Sequence, residues 1–263
     1  LLLLASTRMG QKKYYPFPGD ENVQVLFLGD SNMAYSFDNA SIPDMLKETG
    51  NYTVYNGAIG GSGAAKWNGT GSRANSDDLF GFYQLMKMAQ AGDMQPVIAL
   101  ETEANGEAMG RVDMLTDLDW KELDIVIISY GLNDYMAGVP LDYEGNAYLE
   151  NTYAGALRKG IATVNEMCDA TIILSSITYA SFEEGEGRIS GYEKDFGGGT
   201  IDAYRDACRD AAAEFDNVVF LDALGEMGID DENYGEYLID EIHLNESGRQ
   251  RYLDCLLPLL KER

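Results

Sequence analysis

Five short stretches of this chain are apolar at almost every position rather than at every second one. Residues 23–28, 125–128 and 171–174 are continuous apolar runs rich in Val, Ile and Leu. Such runs suit strands covered on both faces, as in a parallel sheet. Residues 218–221 read as a further strand and 53–55 as a shorter one. Between the runs lie helical patterns, over 42–47, 80–91, 147–167, 201–215 and 246–260. Strands alternating with helices at this spacing predict a three-layer α/β/α sandwich around a mainly parallel, doubly wound (flavodoxin-like) five-stranded sheet. Neither an internal repeat nor a Pro-rich linker interrupts the pattern, so residues 21–263 are expected to form one domain after a lead-in over 1–20.

Two segments exceed what simple connections need. Residues 62–120 hold Gly- and Asn-rich turns around Trp67 and one helix, and residues 177–199 show no clear period. Long irregular segments on a compact domain are usually functional, so both are expected to wall a substrate cleft. Trp67 and Tyr179 suit either a sugar-stacking platform or ordinary half-buried packing. Phe82, Leu85, Met86 and Met88 read as core on a helix rather than as a lipid-binding stripe.

Composition narrows the partners. The 19 basic and 44 acidic side chains leave a formal charge of −25. That charge repels phosphate backbones and anionic membrane surfaces, which argues against nucleic acid. Cys168, Cys208 and Cys255 are odd in number and widely spaced, so neither a disulfide framework nor a zinc site is expected, and each reads as a buried thiol. The opening Leu1-Leu2-Leu3-Leu4-Ala5-Ser6 resembles the tail of a trimmed signal or anchor segment, which predicts an exported protein with a membrane anchor in its full-length form.

The single histidine of the chain, His243, lies three positions after Asp240. A serine hydroxyl becomes a useful nucleophile when a base within hydrogen-bond reach takes its proton and a carboxylate holds that base in one tautomer. Asp240 and His243 supply both functions from one turn. Ser31, in Gly29-Asp30-Ser31 at the end of the first strand, would sit at a helix N-terminus, where backbone N–H groups favour developing negative charge. Donors to the oxyanion are sought in the Gly-rich stretch 57–63, and at Asn133 in Gly131-Leu132-Asn133-Asp134, after the 125–128 strand.

These four blocks in this order, each at a predicted strand end, resemble the SGNH hydrolases, also called the GDSL esterase/lipase family, over about residues 23 to 260. The resemblance implies a nucleophile at Ser31, an orienting acid at Asp240 and a base at His243. It also implies an oxyanion hole formed by the Ser31 and Gly61 N–H groups and the Asn133 amide. Asn32 stands where many members carry Leu, and Leu244 where Pro is common; neither is expected to touch the proton path. No cofactor or metal is expected. The Gly-rich stretch lacks a full dinucleotide or phosphate-loop pattern, and Asp113, Asp117, Asp119 and Asp124 lack the glycine and glutamate of a calcium loop.

The expected substrates are short acyl esters, acetyl above all, on carbohydrate or cell-envelope polysaccharide. Longer acyl chains on lipid or thioester, acetyl transfer to a polysaccharide, and a non-catalytic carbohydrate-binding scaffold are the alternatives.

Overall fold

The computed structural model describes residues 22–35, 40–66, 80–98 and 106–261. Five strands form one parallel sheet: β1 (Val23–Gly29), β2 (Tyr52–Asn56), β3 (Ile125–Ser129), β4 (Thr171–Ser175) and a last strand, Val218–Leu221. A two-stranded antiparallel hairpin, β5 (Ser181–Glu184) and β6 (Gly187–Ser190), precedes that last strand in the chain, which is therefore β7. The order across the sheet is β2-β1-β3-β4-β7, the doubly wound arrangement expected from the alternation of elements. Val25 to Leu28, Ile125 to Ile128 and Ile172 to Leu174 are fully buried, because the three central strands have helices on both faces. The edge strands β2 and β7 are half-buried, which is why their apolar runs are shorter and weaker.

The helices are α1 (Ser31–Ala34), α2 (Ile42–Glu48), α3 (Phe82–Ala91), α4 (Gln95–Ile98), α5 (Gly106–Asp117), α6 (Leu132–Met136), α7 (Tyr153–Met167), α8 (Ile201–Ala212), α9 (Ala223–Glu226), α10 (Tyr234–Tyr237) and α11 (Glu246–Lys261). Helix α7 begins six residues later than its sequence pattern predicts. Residues 147–152 form consecutive turns, with Leu149 N donating to Asn146 O and Thr152 N to Leu149 O, before the Thr152 hydroxyl caps the helix at Gly155 N. Helix α5 lies in the segment read as mostly turns. The segment 177–199 contains the β5–β6 hairpin, whose strands of four residues are too short to reveal a period of two. None of the helices among the described residues is long and apolar enough to cross a membrane.

Phe82, Leu85, Met86 and Met88 are buried in the core as expected. Tyr179 is not a stacking platform: it is 2% exposed and its hydroxyl donates to Asp231. Trp67 lies outside the described residues. Cys168 and Cys208 are buried thiols, but Cys255, packed against the edge of the core from α11, is only half-buried.

Parallel pairing sets Gly29 opposite Ser129 and Phe27 opposite Asn56. The loops leaving β1, β2 and β3 therefore start side by side, where the winding direction of the sheet reverses. That crevice is where doubly wound folds place their sites.

The packing of α3 on α7 offers a test of core tightness. Gly160 of α7 lies against the buried Phe82 ring, which stacks on Tyr130 with centroids 5.3 Å apart, and a Cβ at Gly160 would collide with that ring. Alanine gains about 1 kcal/mol of helix propensity over glycine, whereas overpacking a closed core costs about 1–3 kcal/mol. The net cost of up to about 2 kcal/mol should therefore lower the melting temperature of Gly160→Ala by up to roughly 8 °C. A thermal melt showing an unchanged or higher midpoint would mean that the Phe82 ring yields.

Candidate active site

Ser31 opens α1 immediately after the β1 strand. Gly29 is required there because the backbone turns tightly under Met33: a Cβ would lie 2.7 Å from both Met33 Cγ and Ser129 O. Asp30 is the N-cap; its backbone N donates to Ser129 O at 3.3 Å, and its carboxylate accepts from Asn32 N at 3.0 Å. Ser31 is thereby held at the positive end of a single helical turn, 8% exposed.

Across the crevice, residues 238–245 form a closed turn before α11. Leu238 and Leu244 pair in an antiparallel bridge, and Ile239 N donates to His243 O at 2.8 Å. One oxygen of Asp240 accepts from Ile242 N at 2.9 Å and from His243 N at 2.8 Å; the other lies 2.7 Å from His243 Nδ1. That pairing assigns the Nδ1–H tautomer, which turns the Nε2 lone pair outward. His243 Nε2 lies 2.9 Å from Ser31 Oγ, so residues 212 positions apart in the chain meet. Partial burial opposes ionisation of Asp240, but the bonds from the His243 ring and from the two amides outweigh it and hold the carboxyl below its ordinary value.

The loop after β2 lies against the same strand end. Ile59 N donates to Gly29 O at 2.9 Å, and Ser62 Oγ to the same oxygen at 3.3 Å, so Gly61, with φ +76, sits between two residues anchored to the β1 terminus. After β3, Gly131 adopts φ +142, a conformation L side chains rarely adopt, and a Cβ there would also crowd the Tyr153 hydroxyl. This bend directs α6 inward. Asn133, 4% exposed, donates through Nδ2 to Ser62 O at 2.9 Å, joining the third block to the second.

Two residues that tether the site were not legible in the sequence. Asp134 is fully buried and accepts from Ala64 N at 2.8 Å and Ala65 N at 2.9 Å, which ties the Gly61 loop to α6. Asn32 makes no bond to the Ser31 hydroxyl, the His243 ring or the Asp240 carboxylate among those described, but it grips the histidine turn: its Nδ2 donates to Ile242 O at 3.0 Å and its Oδ1 accepts from Leu244 N at 2.9 Å. Separations of about 70 and 210 residues carry no periodic signal. Leu244 packs in the core and its N–H is used, so proline at that position would forfeit the bond. The 177–199 segment reaches the same turn, with Ser181 N donating to Glu241 O at 3.0 Å and Glu183 N to Glu241 Oε1 at 2.6 Å. Among the described residues, no group of three or more His, Cys, Asp and Glu side chains is arranged to hold a metal ion.

Beneath Ser31 the electrostatics are unusual for a carboxylate. Burial pushes the Asp30 carboxyl up from 3.8 to about 7; the Asn32 N–H only partly offsets this, and the nearby Asp134 charge adds to it. A proton retained in the folded state but lost from the unfolded chain makes stability fall as pH rises between these values, by on the order of 4 kcal/mol in all. Asp30→Asn keeps the acceptor for Asn32 N and removes the titration. The melting temperature of Asp30→Asn relative to the parent should therefore climb from pH 4 to pH 7 and level off above. A difference independent of pH would show that Asp30 stays ionised throughout.

Solved structures share this fold. A protein from Lactobacillus plantarum is 18% identical and superposes with a TM-score of 0.59, covering 92% of this chain and 98% of its own. A lipase/acylhydrolase from Enterococcus faecalis is 17% identical with a TM-score of 0.51, over 92% and 96%. An active-site mutant of a family two carbohydrate esterase from Clostridium thermocellum is 13% identical with a TM-score of 0.54, over 94% and 65%. These likenesses establish the shared fold. No curated protein matches the chain. The model of the GDSL-like Lipase/Acylhydrolase family matches residues 27–251, a span that takes in the serine of the first strand end and the histidine turn alike, and the chain is a member of that family of hydrolases.

Proposed function

We propose that the protein is a serine esterase acting on short-chain acyl esters, acetyl esters of carbohydrate first among them. The observation that carries this reading is the continuous hydrogen-bonded line from Ser31 Oγ through His243 to Asp240, at 2.9 and 2.7 Å. In this mechanism His243 Nε2 takes the hydroxyl proton as Ser31 Oγ attacks the ester carbonyl, and Asp240 stabilises the imidazolium without itself being protonated. The tetrahedral oxyanion accepts from Ser31 N–H, Gly61 N–H and the Asn133 amide. Each such donor is worth about 2.7–4 kcal/mol when removed singly. His243 then returns the proton to the leaving alcohol, and water repeats the sequence to release the acid and restore Ser31.

The substrate class rests on charge and on similarity. Glu241 follows Asp240 in the chain and its carboxylate accepts from Glu183 N, which sets two further acidic residues along this rim of a chain of net charge −25. Such a rim disfavours phospholipid headgroups and nucleotide-bearing thioesters and leaves neutral sugars unaffected. The likeness to a carbohydrate esterase points the same way.

Ser31→Ala should reduce turnover of a chromogenic acetate by at least about 10⁴-fold without changing the melting temperature, and Asp240→Asn should cost roughly 10³–10⁴-fold in kcat. Activity retained by Ser31→Ala would remove that residue from the mechanism. In an acyl series from acetate to octanoate, kcat/KM is expected to be greatest at acetate. A rise towards octanoate would assign the protein to lipid or long-chain thioester substrates.

A further inference from the structure

The side chain next to the nucleophile does a separate job. Asn32 is 4% exposed and spans from α1 to the histidine turn, donating to Ile242 O and accepting from Leu244 N. These two backbone groups flank His243 and face the same way, as the N–H and C=O of alternate residues do along a strand edge. The Asn32 amide therefore pairs with them as a second strand would. One orientation of the amide satisfies both; the flipped one would set oxygen against Ile242 O and N–H against N–H. Its own backbone N is fixed by Asp30 Oδ1, so Ser31 lies between a residue that caps the helix and a residue that holds the base.

The turn is internally braced by Asp240, and it is held from outside by Ser181 N on Glu241 O and by Arg249 Nη1 on Leu244 O at 2.8 Å. Those braces tie it to the hairpin and to α11. Asn32 ties it to the helix that carries the nucleophile.

We propose that Asn32 is a positioning residue which sets the distance and angle of His243 Nε2 to Ser31 Oγ by clamping the backbone on both sides of the histidine. The inference rests on the reading of Ser31 and His243 as nucleophile and base. Leucine has the same branching and number of heavy atoms, though it is bulkier, and makes neither bond, so the turn keeps its outer supports and loses its registration to α1. A misplacement of about 1 Å between reacting groups costs on the order of 10²-fold in rate.

The test compares Asn32→Leu and Asn32→Asp with the parent, counting active sites by end-point titration with a fluorophosphonate and measuring hydrolysis of a chromogenic acetate. Per titrated serine, kcat should fall 10- to 100-fold in Asn32→Leu with KM changed less than threefold. Asn32→Asp keeps the shape and the bond from Leu244 N but opposes two oxygens at Ile242, and it should fall in the same direction. A residue needed only for folding would lower the number of titrated sites and leave kcat per site at the parent value. Values within twofold of the parent in both variants overturn the clamp even if both melt earlier. A parent chain that takes no fluorophosphonate overturns the serine mechanism instead, and this inference with it; a labelled, active parent beside unaffected variants overturns this inference alone.

Discussion

The in-register pairing of β1 with β3 is the constraint on which the site depends. With Gly29 opposite Ser129, and with Asp30 N extending the ladder to Ser129 O, the residues two and four positions beyond the strand ends emerge into one crevice. A slip of one position would turn every side chain of β1 towards the opposite layer and move Gly29 away from Ser129 O, where a Cβ would lie at only 2.7 Å, so the glycine fits the register that the site uses. The loop after β2 joins through Ile59 N on Gly29 O, again a bond to the β1 terminus.

Around that frame the protein buries polar groups that would be costly alone, and each has a structural task. Asp134 accepts two loop amides, Asn133 reaches Ser62 O, Asp30 caps α1, and Asn32 grips the histidine turn. A buried polar group without a partner costs about 1–3 kcal/mol, which makes such a cluster intolerant of rearrangement. The rigidity suits a reaction that needs donors and proton acceptor already aimed. The raised Asp30 carboxyl, a result of the same burial, is the electrostatic consequence of packing that layer beneath Ser31.

The hairpin β5–β6 connects the chemistry to the outer rim. Its first strand holds the histidine turn through Glu241, while Phe182 joins an aromatic cluster with Tyr135 and Phe196 at centroid distances of 5.9 and 5.1 Å. Tyr135 belongs to α6, two residues after Asn133, so one packed group spans the element carrying Asn133 and the segment abutting the His243 turn.

The order of elements, the parallel sheet and the candidate residues Ser31, Asn133, Asp240 and His243 were legible in the sequence, because strands buried on both faces are apolar throughout and turn chemistry at their ends is local. Element boundaries were less so: α7 starts at Tyr153 because turns at 147–152 dock against Gly155, and the 181–190 hairpin is too short to leave a pattern. The environments of Tyr179 and Cys255 and the tethers made by Asn32 and Asp134 were decided by tertiary structure alone. Sequence carries periodicity, which reports burial of whole elements. A single bond between residues 32 and 244, or 134 and 64, has no period, and it exists only once packing has brought the two strand ends together.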